Sequence, residues 1–251
     1  MTALIAIACG VVGLVAGTFL NVVIERVPGR SPVLPPYPQC TSCGSAAPSW
    51  LVAIGRCRRC RAHLGARRGL VEVASAALLV SAGIRFAHSV ALPAFCVFFA
   101  SLLAITVIDF DHFIIPNRVI YPTLAATIPL LFLAALVGND WGRAGTAAIG
   151  GVGGFLALFV VHTISPRGMG FGDVRLAGVI GMMLGWLGLG YVALALFLSF
   201  LLASVVGIFL LVTRIRGRKD AVPFGPFMAA GAVIAALWGS PLLDAYVRSR
   251  G

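Results

Sequence analysis

The stretch Val90–Ile108, VALPAFCVFFASLLAITVI, carries no charge and is followed directly by an acid, Asp109. It is close to the length of about 20 largely apolar residues that a membrane-spanning helix needs. A second acid, Asp173, ends the motif Gly170-Phe171-Gly172-Asp173 and precedes another apolar run. An ionised carboxylate costs at least about 2.5 kcal/mol at the centre of a membrane helix, so such acids usually face a partner or a water-filled cavity. Two of them indicate aspartyl chemistry.

The composition is typical of a multi-pass membrane protein. The 251 residues are 60% hydrophobic and 11% charged, with a mean hydropathy of +1.02, whereas a soluble domain is roughly 45–50% apolar. We therefore predict an all-α polytopic membrane fold of about eight transmembrane helices. The apolar runs are Ala3–Ile24, Leu70–Ala87, Val90–Ile108, Val119–Gly138, Ala144–Ser165, Val174–Gly188, Leu189–Thr213 and Val222–Tyr246. The sixth run is short, and only glycines separate it from the seventh.

The basic residues predict the orientation in the membrane. If the N-terminus is outside, most of the 19 Lys and Arg residues fall in inside loops, and Arg85, Arg143, Arg248 and Arg250 remain outside. This is the asymmetry of the positive-inside rule, and it places both acids at cytoplasmic helix ends. The net charge of +11 is thus a topology signal. Nucleic acid is not an expected partner because no stacking aromatic pattern interleaves the arginines.

The loop between the first two runs contains two Cys-x-x-Cys pairs, Cys40 with Cys43 and Cys57 with Cys60. This spacing predicts a small cytoplasmic zinc ribbon in which four thiolates hold a structural ion. Two disulfides or four idle thiols are the alternatives, and the reducing cytoplasm argues against disulfides. Four thiolates leave no open coordination position, so catalysis at this metal is not expected.

Several blocks of the sequence resemble the bacterial type IV prepilin peptidases. The first-helix signature of that family is similar to Gly17-Thr18-Phe19-Leu20-Asn21-Val22-Val23 with Arg26 and Pro28, although serine is more usual where Thr18 stands. The other blocks follow in the family's order and span nearly the whole chain. They are the two Cys-x-x-Cys pairs, Leu70-Val71-Glu72, Asp109-Phe110-Asp111-His112 with Ile115-Pro116-Asn117, Gly168-Met169-Gly170-Phe171-Gly172-Asp173, and Pro223-Phe224-Gly225-Pro226-Phe227.

The resemblance implies a membrane aspartic protease of the bacterial cytoplasmic membrane. Such enzymes remove the short basic leader from type IV prepilins and related pseudopilins, cutting after a glycine on the cytoplasmic side. By motif position the catalytic pair is Asp109 and Asp173, not Asp111. Many members also methylate the new N-terminal residue with S-adenosylmethionine, which the resemblance would place near the cysteine loop, beside Glu25 and Glu72.

The chemistry also follows from the residue types. Peptide hydrolysis by carboxylates needs one that activates water and another, protonated, that donates to the carbonyl oxygen or the leaving amine. Two neighbouring carboxylates do not both ionise comfortably, so the pair is expected to share one proton. Gly170 and Gly172 would let a substrate strand approach Asp173 closely. The alternative for this motif is a glycine-rich loop whose Asp173 caps the sixth helix.

The other polar residues leave more than one interpretation open. Asp111 and His112 would support the catalytic loop or line a hydrated helix end. Glu25 and Glu72 would bind the substrate or form ordinary salt bridges, and His162 is expected to be a satisfied interfacial residue. Pro116 is expected to end one helix before the next begins.

The predicted organisation is a first transmembrane helix (1–24), a Cys₄ zinc-binding loop (25–69) and a peptidase core (70–251). A proton-coupled transporter would use the same acids, but no inverted repeat is evident. A zinc-ribbon scaffold without catalysis would leave Asp173 unexplained. The sequence does not predict the oligomeric state or the particular prepilin.

Overall fold

The computed structural model describes residues 1–29, 31–33, 40, 43–45, 57, 59–62, 66–166, 168–213 and 222–248. In this part of the chain all regular secondary structure is α-helical. The eight helices are α1 (Thr2–Arg26), α2 (Ala66–Phe86), α3 (Leu92–His112), α4 (Asn117–Gly138), α5 (Trp141–Ile164), α6 (Phe171–Gly185), α7 (Leu189–Val212) and α8 (Gly225–Arg248).

Seven of these helices are long and apolar enough to cross a membrane, and α6 is the exception. Its 15 residues extend about 22 Å at 1.5 Å per residue, less than the hydrocarbon core of about 30 Å. The predicted helical membrane fold is confirmed, but with seven candidate spans where the sequence suggested about eight. Helix α6 also begins at Phe171 rather than at Val174, so Asp173 lies inside its first turn.

The connections between the helices have identifiable local causes. Phe113 adopts the left-handed conformation (φ 54°) after α3, and its N–H donates to the Asp109 carbonyl at 2.9 Å. Pro116 is the N-cap of α4, with extended backbone, which suits a residue that has no N–H to donate. Gly188 has φ +136° and turns the chain between α6 and α7, which confirms the predicted boundary.

Contacts between residues divide the chain into two compact units, Met1–Ala104 and Ile105–Gly251. In the first unit α1 packs closely on α2. A Cβ at Gly17 would lie only 2.6 Å from the Glu72 Cα, so the close approach requires glycine there. Phe95 and Phe98 are fully buried, and the ring of Phe95 stacks on Phe86 with centroids 4.1 Å apart. The small residue Gly17 thus lets α1 and α2 approach closely, as expected for helix packing in lipid.

The second unit is built around α6. A Cβ at Gly185 would lie 2.5 Å from the Thr146 carbonyl oxygen, so α5 and α6 pack backbone to backbone. Most of α6 is buried, including Leu176, Ile180 and Met183. This burial explains how a helix too short to span a bilayer is held in the unit: its surroundings are mostly protein.

Candidate active site

Four thiols of the first unit converge in the loop between α1 and α2. The Sγ atoms of Cys40, Cys43, Cys57 and Cys60 all lie within 4.8 Å of one another. Cys40 and Cys60 are 3.6 Å apart, and Cys43 and Cys57 are 3.7 Å apart. Zinc–sulfur bonds of about 2.3 Å in a tetrahedron require sulfur–sulfur edges of about 3.8 Å. The donor set therefore fits a zinc ion.

The two Cys-x-x-Cys segments are built alike. The Gly44 N–H donates to the Cys40 carbonyl at 2.9 Å, and the Arg61 N–H donates to the Cys57 carbonyl at 2.9 Å. Gly44 and Arg61 both have left-handed backbone, with φ +67° and 56°. The Ser45 hydroxyl lies 3.3 Å from the Cys57 sulfur, and this contact together with the backbone N–H groups of Cys60 and Arg59 lowers the pKa of that thiol to about 6. This favours the thiolate that a metal binds.

The polar residues beside the cysteine loop connect α1 to α2. Arg68 donates to both carboxylate oxygens of Glu25, at 2.8 and 3.1 Å. Glu72 is 1% exposed, and its Oε1 accepts a hydrogen bond from the Thr18 hydroxyl at 3.3 Å. Thr18 therefore supplies a hydroxyl donor at the position where serine is more usual. Glu25 and Glu72 fit structural roles in this helix pair.

In the second unit the two predicted acids line the same cavity. Asp109 lies in the last turn of α3 and Asp173 in the first turn of α6. Both are buried, with 4% and 8% of their surface exposed. The cavity has a volume of about 460 Å³, within the range of about 300–1,000 Å³ typical of ligand sites. Among the described residues, the rest of its lining is formed by Phe113, Ile114, Ile115, Pro166, Gly168, Met169, Gly170, Gly172, Val222, Pro223 and Phe224.

Asp109 is held by the first residue of α8. The Gly225 N–H donates to Asp109 Oδ2 at 2.9 Å. A Cβ at Gly225 would lie 2.7 Å from the same oxygen, so any side chain there displaces the carboxylate. Gly225 belongs to the last block of the resemblance, but no place in the site was predicted for it from the sequence. The sequence feature that could have identified this residue is a glycine between Phe224 and Pro226, directly at the start of a helix.

Asp173 is held by its own motif. The Gly170 N–H donates to Asp173 Oδ2 at 3.0 Å. Gly170 is the N-cap of α6 and Asp173 is its third residue, so Asp173 is not the N-cap residue, but its carboxylate accepts from the N-cap backbone as in a capping box. A Cβ at Gly172 would lie 2.9 Å from the Ile115 Cβ. Glycine is thus needed there for the close approach of the chain after α3.

The loop that precedes the motif is fixed from α5. Nδ1 of His162 lies 2.8 Å from the Met169 carbonyl oxygen, in hydrogen-bonding distance, and its ring lies 5.5 Å from that of Phe171. His162 is therefore satisfied, as predicted from the sequence, and it holds one wall of the cavity.

Comparison with known proteins identifies the family. The family described as "Type IV leader peptidase family" matches residues 96–212, which include both acids. A second family, described as "Bacterial Peptidase A24 N-terminal domain", matches residues 11–86, which include the four cysteines. The prepilin leader peptidase/N-methyltransferase of Pseudomonas putida is 31% identical over 92% of this chain and 90% of its own length. The chain belongs to the type IV leader peptidase family.

Other relatives agree with this assignment. The protein of the same name from Bacillus subtilis is 31% identical over 94% of this chain and 95% of its own length. That of Pseudomonas aeruginosa is 30% identical over 95% and 92%. No solved structure matches the chain. Because the family is one of peptidases, the chain is an enzyme, and neither the transporter nor the scaffold interpretation stands.

Two other polar candidates from the sequence are not found in the described lining of this cavity. Asp111 and His112 are exposed at the end of α3, and neither is among the described residues that line the cavity. The support that Asp111 gives to the catalytic loop stays a prediction. So do the catalytic roles of Asp109 and Asp173, which the structure brings together.

Replacing Gly225 by alanine is expected to lower peptidase activity strongly while the protein still folds. The added methyl would push the Asp109 carboxylate out of position, and small misplacements of a catalytic group can cost about 10²-fold in rate. The control is Gly207→Ala, because a Cβ at Gly207 in α7 meets open space. Initial rates of leader release should fall for the Gly225 variant alone. Equal rates would show that the Asp109 position does not matter.

Proposed function

We propose that this chain is a membrane aspartic endopeptidase that removes the basic leader from type IV prepilins or pseudopilins at the cytoplasmic face. The observation that carries the proposal is the shared cavity of two buried acids, Asp109 and Asp173. Family membership supports the reaction type. The positive-inside pattern supports the cytoplasmic face.

The two carboxylates divide the proton transfers of hydrolysis. The ionised one takes a proton from a water molecule, whose oxygen attacks the scissile carbonyl carbon. The protonated one donates to the carbonyl oxygen, and a proton then passes to the leaving nitrogen as the carbon–nitrogen bond breaks. The products are a leader with a new carboxylate and a mature chain with a new amine. Hydrogen bonds from Gly225 and Gly170 keep both carboxylates in place for these transfers.

Cleavage of a defined substrate tests the proposal. Purified protein in liposomes should be given a prepilin made of a basic leader, a glycine and an apolar helix. Mass spectrometry of the products should show one cut after the glycine. A matched prepilin with a bulky residue in place of that glycine should be cut much more slowly. Absence of cleavage, or cleavage within the apolar helix, would contradict the proposed function.

The zinc loop has a structural role in this proposal. Four thiolates at tetrahedral spacing occupy every coordination position of a zinc ion, so they stabilise the loop and leave no place for substrate. The division into a first helix (1–24), a zinc-binding loop (25–69) and a peptidase core (70–251) stays a prediction about roles, whereas residue contacts divide the chain after Ala104.

The names of the relatives support a second activity, methylation of the amine that cleavage creates. S-adenosylmethionine supplies the methyl group for such a reaction. Glu72 is buried against α1, whereas Glu25 is paired with Arg68 and keeps 43% of its side chain exposed, so the place of this methyl donor beside the two glutamates stays a prediction. We therefore assign no residue of this chain to methyl transfer.

Asp173→Asn is expected to keep any methylation activity that the wild-type protein has. Hydrolysis needs the carboxylate pair, whereas methylation needs an exposed amine and a methyl donor. The test supplies pre-cleaved pilin and labelled S-adenosylmethionine to both proteins. Transfer by both supports separate sites, and transfer by the wild type alone would mean that the sites are coupled. No transfer by either would contradict the second activity.

A further inference from the structure

A second cavity in the peptidase unit opens between α4, α5 and α6, and we call it the α4–α6 groove. Its volume is about 610 Å³. The side chains that form it are mainly apolar, among them Leu124 on α4, Val152 and Leu156 on α5, and Met182 on α6. Its charged lining residue in the described chain is Arg175. The groove therefore suits a ligand that is mostly hydrocarbon and carries one polar end.

The α4–α6 groove is separate from the catalytic cavity. Phe171, Arg175 and Met182 line the groove, and their spacings of four and seven residues place them on one face of α6. Asp173 lies two residues from both Phe171 and Arg175, which is about 200° around the helix. The body of α6 thus stands between the groove and the acids. A peptide positioned at Asp173 has no need to enter this groove.

Arg175 gives the groove a cationic end. Its guanidinium donates to the side-chain oxygen of Asn117 and lies 4.5 Å above the centre of the Phe171 ring. Both partners are neutral, and in the described part of the chain no carboxylate forms an ion pair with Arg175. Charged side chains within membrane proteins are expensive and generally paired. An anion at this end of the groove would complete the pairing.

The length of the groove matches one leaflet of a bilayer. Phe171 and Met182 line its two ends along α6, and eleven residues of helix extend about 16 Å. One leaflet contributes about 15 Å, half of the hydrocarbon core of about 30 Å. Val152 and Leu156 are 60% and 51% exposed, so the groove is open along its side. Since candidate spans α4 and α5 form its walls, that opening leads to the lipid.

We propose that the α4–α6 groove binds one anionic phospholipid, with the phosphate at Arg175 and an acyl chain lying along α6 towards Met182. The charge of Arg175 selects the headgroup and the apolar walls hold the chain. An apolar helix of the substrate is the competing occupant. It is disfavoured because the groove lies on the opposite face of α6 from Asp173. The proposal does not depend on the peptidase activity, since it concerns binding alone.

Native mass spectrometry of the purified protein tests the proposal directly. The protein is titrated with phosphatidylglycerol and with phosphatidylcholine that carry identical acyl chains. The wild type should bind the first phosphatidylglycerol about fivefold more tightly, which corresponds to about 1 kcal/mol for one arginine near anionic headgroups. Arg175→Gln should abolish this preference. Arg143→Gln, which removes an exposed arginine paired with Asp140, should keep it.

Filling the groove provides the second part of the test. Gly178→Leu adds a side chain where a Cβ makes only ordinary contact with Phe155 at 3.4 Å, and Val152→Phe enlarges an already exposed residue. Both should weaken the binding of both lipids. Equal affinity of the wild type for the two lipids, or equal behaviour of the two arginine variants, would overturn the proposal. So would filled-groove variants that bind lipid normally but show a raised KM for full-length prepilin, because the groove would then hold the substrate helix.

Discussion

Replacing Asp109 or Asp173 by asparagine is expected to abolish leader removal, with a fall in rate of about 10²- to 10⁴-fold, the range typical of positioned acids and bases. Asparagine has nearly the same shape, and its oxygen can still accept the hydrogen bond from Gly225 or from Gly170. The change therefore removes the proton transfer and leaves the packing intact. The measurement is the initial rate of leader release in liposomes, with the amount of inserted protein determined in parallel.

Asp140→Asn is the matched control for both variants. Asp140 is a half-exposed acid of the same unit at the start of α5, where it pairs with Arg143 at 3.8 Å, and it is not among the described residues that line the cavity. This variant should retain the wild-type rate. Substantial cleavage by either the Asp109 or the Asp173 variant would reject the pair as the catalytic acids.

Loss of the cysteine cluster is expected to have the largest effect on stability. The wild-type protein should contain about one zinc per chain, and replacing Cys57 and Cys60 by serine should release it and destabilise the loop between α1 and α2. Zinc contributes about 10–16 kcal/mol of binding free energy in small zinc-folded peptides at neutral pH. Elemental analysis gives the zinc content, and limited proteolysis reports the order of the loop.

Two cysteines outside the cluster provide the control for the zinc prediction. Cys9 in α1 and Cys96 in α3 are free and partly buried. Their replacement by serine should leave the zinc content unchanged. A metal-free wild-type protein with intact thiols and a protease-resistant loop would refute the zinc assignment.

The sequence predicted the helices well because a spanning helix needs a long apolar run. The sixth apolar run, which forms α6, was wrongly predicted to be a spanning helix. Helix α6 is apolar for a different reason, since it is buried among other helices of its unit, and composition does not distinguish burial in protein from burial in lipid. The start of α6 was also missed. Neither Phe171 nor Gly172 is a residue type that marks the start of a helix. The cap at Gly170 depends on a hydrogen bond from its N–H to the Asp173 side chain, which only the folded chain shows.

The site was predicted in part for a similar reason. Asp109 and Asp173 stand out because charge is costly in a membrane, and the cysteines stand out by their spacing. Gly225 does not, because its role is to approach an acid 116 residues earlier in the sequence. Arg175 resembled one more basic residue of an inside loop. Only the folded chain shows that its neighbours are neutral and that it ends an apolar groove.

We propose that Asp109 and Asp173 act as one catalytic unit on a prepilin. The most direct measurement compares the initial rates of leader release for Asp109→Asn, Asp173→Asn and the double variant with the same substrate. Residues that act together are non-additive, so the double variant should be no slower than the slower single variant, within a fewfold. A double variant whose loss equals the product of the two single losses would show that the acids act independently and not as one catalytic unit.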